Sequence, residues 1–113
     1  MRSLQQNSNQ WQVKVEVMLA RLHEDDLLIT YLEMVEATEI PSPYRIHQLA
    51  EFLEDLIRRD VTLGQPIRAA RVVSKRDRLP ADGFFDCLSD AGVAPEEGES
   101  RADFHQRLLG QKS

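Results

Sequence analysis

Residues 42–64 read SPYRIHQLAEFLEDLIRRDVTLG, and this stretch decides the fold class. Ile46, Leu49, Ala50, Leu53, Leu56 and Ile57 fall three, four, seven, ten and eleven residues from one another, with Phe52 at the edge of the same arc. That spacing puts them on one face of an α-helix. Ser42 is suited to the N-cap and Pro43 to the first turn, where a missing N–H leaves no bond unmade. Gly64 can take the left-handed position that closes a helix. The spacing predicts a central helix over residues 43–63. Its outer side carries Glu54 ahead of Arg58 and Asp55 ahead of Arg59, each by four residues, as solvated helix faces do.

A face of this width has to be covered, and the flanking segments offer further apolar stripes. Trp11, Val13, Val15 and Val17 alternate as a strand would, while Trp11, Val15, Met18 and Leu22 recur at helical spacing, so residues 11–18 fit either element. Helix is preferred, because no turn signal interrupts the run and Asn9 with Gln12 resembles a capping pair. Such a helix carries a second strip, Val13, Val17 and Ala20, beyond what one contact surface requires. A homodimer interface through Trp11, Val13 and Val17 is the expectation from it. The acids of His23–Asp26 suit the start of a second helix with Leu27, Leu28, Tyr31, Leu32, Met34 and Val35 inward, ending near Thr38 ahead of Pro41. Pro66 is expected to open an amphipathic helix over 66–77 with a basic outer face. The segment 81–92, ADGFFDCLSDAG, reads as another helix, and Ser100 with Asp103 as the start of a last one.

No strand is required. The first nine residues are polar and aperiodic and read as a flexible tail, leaving residues 10–113 as a single domain, a compact all-α bundle of five or six short helices. The sole cysteine, Cys87, can form no internal disulfide and no four-cysteine zinc site, which favours an intracellular, cytoplasmic protein. No apolar leader or membrane-length run occurs, so no membrane partner is expected.

Net charge is −5, but residues 1–57 carry −6, residues 58–78 carry +5 and residues 79–113 carry −4. The basic middle is the strongest functional signal. Gln65, Arg68, Arg71, Lys75 and Arg76 are the candidate surface for a protein partner or a nucleic acid, on the basic helix 66–77 acting as the second helix of a helix-turn-helix. Internal pairing with Asp82, Asp86, Asp90, Glu51 or Glu54 is the competing account. The three histidines are scattered, no metal or cofactor is expected, and the usual phosphate-binding and hydrolytic motifs are absent from the sequence. Cys87 fits core packing better than nucleophilic chemistry. The leading expectation is a non-catalytic regulatory or adaptor module working through a protein partner. DNA binding through residues 66–77 is the alternative, and an enzyme with a dispersed acid/base site the third class.

Overall fold

The computed structural model describes the backbone of residues 2–111 and the side chains of residues 10–111. Within them the fold is all-α: five helices, α1 (Arg2–Asp25), α2 (Tyr31–Ala37), α3 (Arg45–Leu63), α4 (Asp82–Asp90) and α5 (Arg101–Leu109), with two very short strands. The side chains of the expected tail, 1–9, lie outside the described residues. No helix among those described is long and apolar enough to cross a membrane.

The central helix forms as its apolar spacing dictates, burying Leu49, Phe52, Leu53, Leu56 and Ile57. Gly64 closes it at φ 67°, with its N–H bonded back into the last turn. The start differs from expectation. The Ser42–Pro43 bond is cis, and Tyr44, at φ 60°, takes the N-cap position without a side-chain bond. The preceding loop is held instead by Arg45 Nε donating to the Ile40 carbonyl and Gln48 Nε2 donating to the carbonyls of Pro41 and Pro43.

Residues 11–18 are helical. α1 lays Trp11, Val15 and Leu19 into the core, Trp11 meeting Phe52 edge-on at 5.5 Å. It runs on to Asp25, so the acids at 23–26 close one helix rather than open the next. α2 begins only at Tyr31, launched by a capping box: Thr30 Oγ1 accepts from Glu33 N at 3.1 Å, and Glu33 Oε1 accepts from Thr30 N at 3.0 Å. Leu27 and Leu32, expected inside, are more than half exposed.

The largest departure is the stretch 66–77. Only Arg68–Arg71 turn, as a single 3-10 turn, and Val72–Val73 (β2) pair in parallel with Ile29–Thr30 (β1). Two long-range terms defeat the local helical periodicity. The β-branched pair Val72–Val73 is fully buried against β1, and the carboxylate of Asp60 on α3 takes the Arg68 backbone N–H at 3.1 Å. The chain beyond β2 forms a tight loop, closed by Ser74 N donating to Leu79 O and Arg78 N donating to Ser74 O. α4 then packs Phe84, Phe85 and Leu88 against α3, and α5 adds Phe104 and Leu108.

Candidate functional site

The five residues singled out on the basic stretch do not share one face. Arg68 turns inward, where its guanidinium grips Asp60, a fully buried carboxylate, through Nε and Nη2 at 2.9–3.1 Å, and reaches Glu16 of α1 at 3.0 Å. Arg71 is 5% exposed, with Nη1 2.8 Å from Asp26 Oδ1 and Nη2 3.3 Å from the Leu109 carbonyl. These two arginines join α1, α3, the 3-10 turn and α5. Both guanidiniums are engaged by the protein's own acids and carbonyls. The expected helix 66–77, and with it a recognition helix, is not there. Gln65 sits at the exposed edge of a cleft of about 280 Å³ between α1, the turn and α5, in which Arg68, Arg71 and His23 also line the wall.

Lys75 and Arg76 stay in solvent, joined by Arg78, which the sequence reading did not single out. All three stand on the six-residue loop 74–79, and Lys75 and Arg78 line a channel of about 440 Å³ whose other wall is α2 and the start of α3. Glu33 and Glu36 line the same channel from α2. Glu33 lies below its ordinary range chiefly because Thr30 donates to it, with Arg78 and Lys75 adding a smaller pull. The channel is therefore edged by cations from the loop and by carboxylates from α2.

Tyr31 and Ile46 also border a second hollow, a slot of about 150 Å³ lined further by Ala50, Leu53, Ile57 and Phe84. A cavity of that size and lining admits one aromatic or branched apolar group. Tyr31 is fixed as the dividing wall, its hydroxyl oxygen accepting from Ala81 N at 2.9 Å, and burial raises its pKa. Gly83 also lines the slot, and a β-carbon there would stand 3.3 Å from Glu54 Oε2, the movable end of a side chain. Two exposed apolar side chains, Leu32 and Ile46, sit at its approach. Sequence periodicity assigned Ile46 to the core face, whereas it is 44% exposed at the edge of the channel.

The outer strip of α1 is real: Val13 is 60% and Val17 47% exposed, whereas Trp11 belongs to the protein's own core. Other candidate chemistry is accounted for by packing. Cys87 is buried, its thiol facing the Glu54 carbonyl at 3.7 Å, and burial pushes its pKa up, away from the reactive thiolate. His47 lies 3.4 Å from Glu51 on the exposed side of α3, and among the described residues no three His, Cys, Asp or Glu side chains gather as metal ligands would. The chain matches no protein-family model, no curated protein and no solved structure, so the site is read from its own geometry.

Proposed function

We propose that this protein is a small intracellular adaptor that holds a segment of a partner protein in the groove between α2, α3 and the 74–84 chain. The observation that carries the reading is the slot itself: an apolar hollow large enough for one side chain, sharing Tyr31 and Ile46 with a channel that has charges of opposite sign on its two edges. The matching segment inserts one large apolar side chain between α3 and α4 and presents acidic residues to Lys75 and Arg78 and a basic one to Glu36. Charge complementarity of this kind sets orientation and partner choice, while the buried anchor supplies most of the affinity.

The test compares purifications from the native host, read by mass spectrometry, using the wild-type chain, Ile46→Glu and Val17→Glu. Both substitutions are at exposed helix positions and should leave the fold intact. A partner retained by wild type and Val17→Glu and lost by Ile46→Glu supports the groove. The reverse pattern moves the working face to α1, where Val13 and Val17 would serve a homodimer or another protein, and no enriched partner with any form contradicts the adaptor reading.

A second reading, nucleic-acid binding, has one observation in its favour: Lys75, Arg76 and Arg78 project from a single loop. Three phosphate contacts would give a log–log salt slope of about −2.7 on duplex DNA. A titration showing no binding at low salt removes it.

A further inference from the structure

The inner face of α5 consists of Phe104, His105 and Leu108, all buried. The histidine is the unusual member. Its ring is 1% exposed and Nε2 lies 2.8 Å from the carbonyl oxygen of Ala70 in the 3-10 turn, so the neutral ring, protonated on Nε2, donates to that carbonyl. The next residue in the turn, Arg71, holds the far end of α5 through the Leu109 carbonyl. α5 is thus fastened to the turn at two points four residues apart, one a titratable ring and the other a cation. Between α5 and α1 lies the cleft floored by Leu19 and Ile67 and closed on the α5 side by Leu108 and Leu109.

Of the charged groups near His105, Arg71 is the one that opposes a second proton. Arg71 faces it from the turn, with Asp26 bound on Arg71's other side. From α1, His23 and Glu24 line the adjoining hollow together with Asp26 and Arg71. On α4, Asp82 is bound by Arg101, and on α5 itself Arg107 is bound by Glu99. Phe85 meets Phe104 beside it. Burial, and after it the field of Arg71, lower the ring's pKa below the ordinary 6.5, while the bond to Ala70 pulls the other way.

We propose that α5 is a strap that leaves the 3-10 turn when His105 takes up a proton, widening the cleft between α1, the turn and α5. The protonated ring next to the buried guanidinium of Arg71 is disfavoured only while α5 is docked. A strap of nine residues can open without the α3 core unfolding, as local openings of single elements do. One proton is taken up per opening, so below the ordinary histidine pKa the opening constant should rise up to about tenfold per pH unit.

Hydrogen exchange on the full chain, corrected for intrinsic rates, reads this at about pH 6.5 and about pH 5.5. Amides of 101–110 should lose protection by up to about fivefold over that interval while those of 49–60 hold theirs. His105→Gln keeps a donor for Ala70 and cannot gain the charge, so its α5 protection should not change with pH, whereas His23→Gln should behave as wild type. If His105→Gln does not fold, the wild-type His105 ring signal by NMR serves instead, and it should titrate over the range in which α5 opens. The proposal is overturned if α5 stays protected at the lower pH, if α5 and α3 lose protection together, if His105→Gln keeps the acid dependence, or if the ring titrates without α5 opening.

Discussion

Arg68 and Arg76 carry the same side chain eight residues apart and do opposite things. Among the described residues, the fully buried carboxylate of Asp60 is met by the guanidinium and the backbone N–H of Arg68. Arg76 is exposed on a loop and, among the described residues, pairs with no buried carboxylate. Removing one member of a buried pair leaves the other charged and unpaired. Arg68→Ala should therefore cost about 3 kcal/mol, at the lower end of that class because the guanidinium is a quarter exposed. Arg76→Ala should change stability by less than about 0.5 kcal/mol. Urea unfolding of the two variants measures the contrast, and equal losses would mean that the Asp60 pair is not structural. A basic cluster was legible in the sequence, as was the choice between an outer surface and internal pairing. The partners were not. Asp60, Glu16 and Asp26 lie 8, 52 and 45 residues from the arginines they bind, and no local pattern links them.

Among the elements, α3 was readable because its propensity, its apolar spacing and its closing glycine all agree. α2 carried its own mark, the Thr30 and Glu33 pair of a capping box, but the acids at 24–26 are an equally ordinary helix start and drew the boundary too early. The stretch 66–77 misled for a different reason. Its helical periodicity is genuine, and it lost to pairing with β1 and to the Asp60 carboxylate, both tertiary terms. The groove was hidden by the same error, since its basic edge exists only because residues 74–79 form a loop over α2. The caps allow a sharp comparison. Thr30→Ala removes one half of the box and should destabilise by about 1 kcal/mol, whereas Ser42→Ala, at the position that does not cap, should stay within about 0.5 kcal/mol. Thermal unfolding of both variants separates them, and a larger loss at Ser42 would contradict the observed start of α3.

For the whole molecule, acid acts in two separate windows. His105 has a folded pKa below its unfolded value, so the folded state binds fewer protons than the unfolded one. Its share of stability is complete above pH 6.5 and is lost as pH falls toward the folded value. Glu99 has the same sign in a lower window. Arg107 first, and then the Glu96 N–H, hold it at about 2, so its contribution is present above 4.5 and fades toward pH 2. Glu33 and Glu39 are lowered as well and add to the second window. Denaturation at stepped pH should show two losses on the acid side. His105→Gln should abolish the first and keep the second, while a flat profile between pH 7 and 5 in the wild type would contradict the buried neutral ring.

The claim that the protein works through the groove rather than through its basic stretch or the outer strip of α1 is tested most directly by photo-crosslinking in the native host. Benzoylphenylalanine placed singly at positions 32, 46, 13 and 17 samples both exposed apolar surfaces without removing a buried group. The groove predicts a covalent adduct to the same partner protein from positions 32 and 46 and none from 13 or 17. Adducts from 13 or 17 alone, or none from any of the four, would contradict it.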